Sequence, residues 1–550
     1  MIKSLINKIL ARGPARAKAS SQTSAPTGDE APAKAPRSRA KKAKSKAPTG
    51  ERVELNAADC GIDVRLVDER AYKVVSTLKD AGYEAYIVGG AVRDLLLGLR
   101  PKDFDVATNA TPEQVKGLFR RAFIIGKRFR IVHVVYGRGR EHEVIEVSTF
   151  RAYLDAGAAE QVSGNEKTSR KELGDKSHVV DASGRVLRDN VWGPQDQDAA
   201  RRDFTINAMY YDPIAGVVVD YHGGIDDARA RVLRMIGEPD MRYREDPVRI
   251  IRVVRFAAKL GFEIEPGTRA PLRDMASLLS NVPQSRLFDE MIKLLQTGHA
   301  RASLEELRKQ GLDHGLFPIL DAVFDPQHPP SEERLEFIDL ALADTDRRVG
   351  EGKPVAPSFL LACLLWHDVR DEWDTNLRNG VPSFPALQQA TDAVFNARIG
   401  DISGRGKLAA DMREIWTMQP RFDRRVGNGP YSLVQQPRFR AGFDFLRLRG
   451  QVGEVEPELA NWWEDFSLAD DETRDDLVAQ AREAESQRRQ SRAPLARGAA
   501  PSTTGTDGGL AGEVGDVGEG DAPAKKRRRR RRKPAGEGRR GGAASGGPGE

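Results

Sequence analysis

The sequence predicts an α+β protein: a small mixed-sheet head, an all-α remainder, and disordered basic tails at both ends. Three observations carry that expectation. Residues 64–151 alternate between helical and strand-like hydrophobic spacing, whereas beyond about residue 240 the apolar spacing is almost wholly helical. The 550-residue chain is only 39% apolar and 31% charged, leaner than a fully folded globule of that length. Its charge is also segregated. Residues 1–50 hold twelve Lys/Arg against two Asp/Glu and residues 486–550 hold fifteen against seven, so a chain of net +6 has a middle, 51–485, of net −12. Cys60 and Cys363 are too few and too distant for a disulfide framework or a cysteine metal site. No apolar run approaches the roughly 18 residues of a membrane span. A reduced, cytoplasmic protein is expected.

The chain opens on MIKSLINKILAR, where Ile2, Leu5, Ile6 and Ile9 recur at helical spacing among Lys3, Lys8 and Arg12. So short an apolar face predicts a frayed helix in a disordered tail; the alternative is weak contact of residues 1–12 with an anionic membrane surface. Ala, Pro, Ser and Lys without periodicity extend the tail, placed at 1–60. Over 64–79 apolar residues fall three and four apart, and Gly82 stands just past the end as a helix stop. AYIVGG then reads as a short buried strand and turn, AVRDLLLG as a helix closed by Gly98, and DFDVAT as a second strand. Thr111, Pro112 and Gln114 fit N-cap, first helical residue and capping-box partner. FII, RIVHVVYG and HEVIEVSTF supply three more strand candidates. Past about residue 487 the composition turns to Gly, Ala, Glu and Arg around the run KKRRRRRRK at 525–533, which is solvated and suited to neutralising phosphates.

The tripeptide Asp103-Phe104-Asp105 is the most informative. Along a strand, residues two apart face one way, so both carboxylates project together while Phe104 and Val106 face the other side. Two such carboxylates repel unless a cation lies between them, and Mg²⁺ suits, since it takes oxygen ligands from one or two carboxylates and from substrate phosphates. Fourteen residues earlier stands Gly89-Gly90-Ala91-Val92-Arg93-Asp94, a strand end, a glycine pair and a helix start. Glycines let a backbone approach phosphate closely. Either motif alone is commonplace; a phosphate cradle followed by a carboxylate pair is what holding a nucleoside triphosphate and its metal requires.

VGGAVRDLLLG, PKDFDVATNATPEQV, RRDFTINAM and EDPVRIIRVVRFAAKLG, in this order, resemble the class II nucleotidyltransferases of the polymerase β superfamily, the group of bacterial poly(A) polymerases and tRNA CCA-adding enzymes. The resemblance covers roughly residues 60–270. It implies that Asp103 and Asp105 are the metal-binding catalytic carboxylates and that Gly89, Gly90 and Arg93 hold the triphosphate. It also implies a third catalytic carboxylate, for which Glu146 is preferred and Asp203 kept; Asp203 is equally suited to a purely structural role. Arg201 and Arg202 are placed near the sugar and phosphates, Arg202 as a nucleotide ligand, with Asn207 open between ribose and structure. Asp246 fits a helix N-cap, yet by resemblance Asp246 and Arg249 read the base edge, with Glu245 supporting Arg249 four residues on. The stripe Arg249, Arg252 and Arg255 also reads in part as a solvated helix face.

The expected layout is a nucleotidyltransferase head at 61–215, a neck for base recognition and RNA binding at 216–290, an α-helical RNA-binding body at 291–485, and an Arg-rich tail at 486–550. The segment 124–137 and the stretches EIWTMQPRFDRR, QQPRFRAGFDFLRLRG and NWWEDF resemble bacterial poly(A) polymerases rather than CCA-adding enzymes. Arg421, Arg424, Arg425, Arg438 and Arg440 suit either an RNA wall or a solvated face, and the pair Trp462-Trp463 suits core more than base stacking. Trp366-His367-Asp368, with His314 upstream, lacks the remaining residues of a metal phosphohydrolase set. The implied reaction is untemplated AMP addition from ATP to RNA 3′ ends with Mg²⁺, in RNA processing and turnover. CCA addition is the alternative enzyme, and a non-catalytic RNA-binding protein the alternative of another class. Proteins of RNA degradation and RNA chaperones are the expected further partners.

Overall fold

The computed structural model describes residues 49–126, 130–137, 142–153, 191–324, 330–353, 355–399 and 406–492, with three short strands inside 160–189. The expectations for residues 1–12 and 525–533 fall outside the described residues. An eight-stranded sheet organises the first part. Its strands are β1 (Val53–Asn56), β2 (Ala85–Val88), β3 (Asp105–Thr108), β4 (Ala122–Ile125), β5 (Ile131–Tyr136) and β6 (Glu143–Thr149). After a separate three-stranded sheet of β7 (Glu160–Gln161), β8 (His178–Val180) and β9 (Val186–Asp189), it is completed by β10 (Tyr210–Asp212) and β11 (Val217–Asp220). The order across it is β1-β11-β10-β2-β3-β6-β5-β4. Neighbours run antiparallel except β3 and β6, which are parallel, so the sheet is mixed, as expected.

Helices α1 (Glu69–Asp80), α2 (Gly90–Leu96), α3 (Pro112–Leu118), α4 (Gln195–Arg201) and α5 (Gly224–Ala230) accompany the sheet. Local signals set several ends. Thr111 and Gln114 form a full capping box at α3, with Pro112 in the first turn. Gly82 and Gly98, with φ of 87° and 70°, follow α1 and α2 in the left-handed region that other residues disfavour. The helix expected from residue 64 begins later: Val64–Leu66 is one 3₁₀ turn, and α1 starts at Glu69 with the Asp68 carboxylate accepting from the Arg70 amide. Strand alternation splits the sheet's two faces. Val74, Val75, Leu78, Val92 and Leu95 pack on Ile87, Val106, Val147 and Tyr211. Tyr86, Phe150, Tyr210 and Tyr221 form an aromatic layer opposite, with edge-to-face contacts such as Phe150–Tyr210 at 6.1 Å.

The sheet reaches beyond the expected 61–215. At one edge β1 pairs with β11, Val53 opposite Asp220, so residues 53–56, expected in the tail, are ordered. All four β1 residues are exposed, so its alternating Val-Glu-Leu-Asn buries neither face. From α6 (Pro239–Glu245), α7 (Val248–Leu260), α8 (Pro266–Arg269) and α9 (Gln284–Leu295) onward the described chain is helical apart from short connections and the two-residue strand Glu263–Ile264, which pairs with Val232–Leu233 just before α6. One continuous apolar core runs from Phe204 through Ile250, Val254 and Leu294 to Trp366 and Trp416. A second, aromatic one gathers Phe422, Phe443, Trp463 and Phe466. Trp463 is buried, its indole donating to the Phe422 carbonyl at 2.8 Å, and Trp462 stacks on Phe466 with ring centres 5.0 Å apart. Trp463 is a core side chain, and Trp462 is half-buried against that core. The last described helix, Asp471–Arg492, runs past the expected boundary at 485. No helix among the described residues is long and apolar enough to cross a membrane.

Candidate active site

Strand β2 ends at Val88, and Gly89 turns the chain into α2 with φ of 72°. Only glycine adopts that angle without strain, and a Cβ there would lie 3.5 Å from the Arg202 guanidinium. Arg93, one turn into α2, is 3% exposed; its guanidinium donates to Asp94 at 2.7 Å and to the Asn207 side-chain oxygen at 2.8 Å. Next to β2 runs β3, Val88 opposite Asp105. Asp103 sits in the bend just before the strand rather than in it, yet the expected alternation holds. Phe104 and Val106 enter the core while Asp103 and Asp105 line one cavity with the Gly89-Gly90 turn. On the far side of β3 lies β6, with Glu146 in register with Asp105 and His133 of β5 within 3.3 Å of the Glu146 carboxylate.

The cavity has a volume of about 620 Å³ and is bounded opposite the sheet by α7. Arg249, Arg252, Arg255 and Lys259 recur three and four residues apart on its wall, so this stripe faces the cavity rather than bulk solvent. Asp246 is not the N-cap expected. It closes α6, Pro247 occupies the N-cap position of α7, and the Asp246 carboxylate is held by Arg286 of α9 at 2.6 Å. Asp246 thus stands at the elbow between two helices, with Arg249 one turn on. Glu245 braces Arg249 at 3.0 Å, as the four-residue spacing predicted, and also pairs with Arg242 at 2.7 Å. The buried Arg242 guanidinium donates in turn to the backbone carbonyls of Arg201 and Arg202, at 2.8 and 2.6 Å. It ties the α6–α7 elbow to the loop carrying Arg202. Burial and the neighbouring Arg249 charge bring Arg242 down to about 10.

Arg202 reaches the cavity paired with Asp198 at 3.2 Å and lying over the Tyr210 ring; Arg201, 3.9 Å from Asp198, is not on the cavity wall. The two candidates for third carboxylate differ sharply. Asp203 accepts from Arg252 at 2.5 and 2.9 Å and from the Asn207 amide at 3.2 Å. Burial alone would raise its pKa, but Arg252 outweighs burial and holds it at about 2. Glu146 stands in register beside Asp105 but is not on the cavity wall, whereas Asp203 is. Crowding by protein, and then the Glu146 charge, push Asp105 up to about 6 against the pull of Arg202.

Asp103 and Asp105 have no ion-pair partner among the described residues, on a wall that otherwise pairs its carboxylates with arginines. That is the charge demand of a hard divalent cation, and oxygen donors are the right chemistry for Mg²⁺. A separate trio, Glu333, His367 and Glu454, places its donor atoms within 4.8 Å of one another in the helical body. Its carboxylates are already engaged by Arg370 and Arg449, and burial, with the charges of Arg370 and Arg334, holds His367 neutral down to about 3. His314 pairs instead with Asp321 at 3.3 Å, so the described residues assemble no hydrolase set. Sequence reasoning passed over Lys102 and Lys259 as cavity residues; the continuing α7 spacing past Arg255 was the available signal for Lys259.

Three family profiles match in chain order: the poly A polymerase head domain at 85–234, a probable RNA- and SrmB-binding site of polymerase A at 261–324, and the polymerase A arginine-rich C-terminus at 379–497. The poly(A) polymerase I of Haemophilus influenzae is 40% identical over 447 residues, 80% of this chain and 94% of that protein. The chain belongs to the bacterial poly(A) polymerase I family. The Salmonella typhimurium poly(A) polymerase I is 41% identical over 73% of this chain and 83% of its own length. A CCA-adding enzyme of Lactobacillus helveticus is 36% identical over 43% of this chain and 52% of its own length. The likeness to poly(A) polymerase I therefore runs through the helical body, whereas that to the CCA-adding enzyme covers about half of each protein.

Proposed function

We propose that this chain is a poly(A) polymerase: it transfers AMP from ATP to the 3′-hydroxyl of RNA without a template and releases pyrophosphate. The observation that carries this reading is the extent of the likeness, 94% of the length of a poly(A) polymerase I against 52% of a CCA-adding enzyme. Those two activities share a head, and differ in the body that accepts the primer. The unpaired Asp103 and Asp105 favour an enzyme over a passive RNA-binding protein.

Gly89 and Gly90 let the triphosphate approach the backbone, with Arg93 and Arg202 as its cationic partners. Asp103 and Asp105 would hold Mg²⁺, which when bound would supply the positive charge that lowers the pKa of the attacking hydroxyl and offsets the charge of the departing pyrophosphate. Glu146, beside Asp105, acts as the third carboxylate; Asp203 anchors Arg252 and Asn207, and through Asn207 orients Arg93. At the other end Asp246 accepts from the adenine N6 amine and Arg249 donates to N1, the complement of that base edge. Arg286 and Glu245 hold the reading pair in place.

The test is product length on an unstructured RNA with single nucleotides. ATP alone should give long A-tails, with CTP strongly disfavoured. Efficient CTP incorporation on a truncated tRNA followed by one A would assign the chain to CCA addition instead. No metal-dependent incorporation at all would leave RNA binding as its function.

A further inference from the structure

Seven cationic and five acidic side chains line the cavity. Every arginine among them has a carboxylate neighbour: Arg93–Asp94 at 2.7 Å, Arg252–Asp203 at 2.5 Å and, most loosely, Arg255–Glu290 at 3.7 Å are examples. The two lysines differ. Neither Lys102 nor Lys259 has a carboxylate partner among the described residues. They come from unrelated elements, Lys102 from the bend before β3 and Lys259 from the last turn of α7, yet both flank Asp103. Lys102 is its chain neighbour, and the Lys259 ammonium, on the same cavity wall, feels the charges of Arg93, Asp94, Arg255 and Asp103. Ten residues of helix, about 15 Å of rise, separate Lys259 from Arg249. Lys259 therefore belongs to the catalytic end of the cavity, away from the base-reading end.

Both ammonium groups are exposed at the cavity and, unlike the arginines around them, are not taken up by protein carboxylates. They suit an arriving polyanion, and a lysine, with three donors on a flexible stem, serves as a point charge for phosphate. We propose that Lys102 and Lys259 form a phosphate-binding subsite beside the catalytic carboxylates, engaging either the terminal phosphates of ATP or the last phosphodiester of the RNA primer. The proposal rests on the poly(A) polymerase reading for the identity of those two phosphates, but not for the presence of the subsite.

The experiment compares the full-length chain with Lys102→Gln, Lys259→Gln and the double variant, with Lys259→Arg as the conservative control. Binding of inorganic pyrophosphate with Mg²⁺ is titrated by calorimetry. KM is measured for ATP and for a short oligo(A) primer, each with the other saturating. Removing a charge-assisted hydrogen bond should weaken the affected step about tenfold per lysine, with an unchanged melting temperature and recovery in Lys259→Arg. A higher KM for ATP together with weaker pyrophosphate binding places the terminal phosphates at the subsite. A higher KM for primer with pyrophosphate binding unchanged places the RNA phosphodiester there. If the double variant and the charge reversal Lys259→Glu both keep all three quantities within about twofold of the parent, the subsite does not exist. Should the parent add no AMP while the variants still bind pyrophosphate less tightly, the functional reading fails and the subsite stands.

Discussion

Replacing Asp203 by asparagine removes a charge that the fold itself is using. In the native protein its carboxylate is 11% exposed and takes two hydrogen bonds from Arg252, one from Asn207 and one from the Phe204 amide. Its pKa falls from an ordinary 3.8 to about 2, because Arg252 outweighs the cost of burial. At about 1.36 kcal/mol per pH unit this is worth about 2.4 kcal/mol of native stability. The folded value lies below the unfolded one, so the contribution is complete above about pH 4 and disappears as pH falls through 2. Urea denaturation followed by circular dichroism, at pH 7 and again near pH 3, reads both magnitude and sign. Asp203→Asn should lose about 2 kcal/mol at pH 7 and distinctly less at pH 3. At a temperature where the variant stays folded, it should keep AMP transfer within about tenfold, whereas Glu146→Gln should lose about 10²–10³-fold with little change in stability. An Asp203→Asn protein as stable as the parent at pH 7 but without AMP transfer would refute this reasoning. Asp203, not Glu146, would then be the third catalytic carboxylate.

Two further outcomes are expected. Asp103→Asn and Asp105→Asn should each abolish AMP transfer under Mg²⁺. Because crowding and Glu146 hold the Asp105 acid at about 6, the metal-free Asp105→Asn protein should denature at the same or a higher urea concentration at pH 7; near-parental turnover in either variant removes the metal assignment. Deleting residues 486–550, which carry the 525–533 cation run, should weaken RNA binding and flatten its salt dependence. The log–log slope should fall by about 0.7 for every single-strand phosphate that the run neutralises in the parent. An unchanged slope would leave the run as solubilising charge.

Wherever neighbours along the chain decide the outcome, the sequence alone determined the structure. The capping box of Thr111 and Gln114, the stops at Gly82 and Gly98, and the Glu245–Arg249 pair follow from contacts three to five residues long. The shared exposure of Asp103 and Asp105 follows from strand alternation alone, even though Asp103 lies one step outside the strand. Placement of Glu146 beside Asp105 needed only that two strand candidates pair, and the parallel register supplied it. Tertiary structure decided the rest, because the deciding contacts join residues far apart in the chain. Nothing near Asp203 announces Arg252, 49 residues away, and nothing near Asp246 announces Arg286, 40 residues away. Strand β1 alternates apolar and polar over only four exposed residues, too short a signal to lift it out of the tail, and its pairing with β11 is what orders it. The arginine stripe of α7 fits a solvated face or a cavity wall equally well until the sheet is set opposite it. Spacing establishes which side chains share a face; what that face meets is a property of the packed chain.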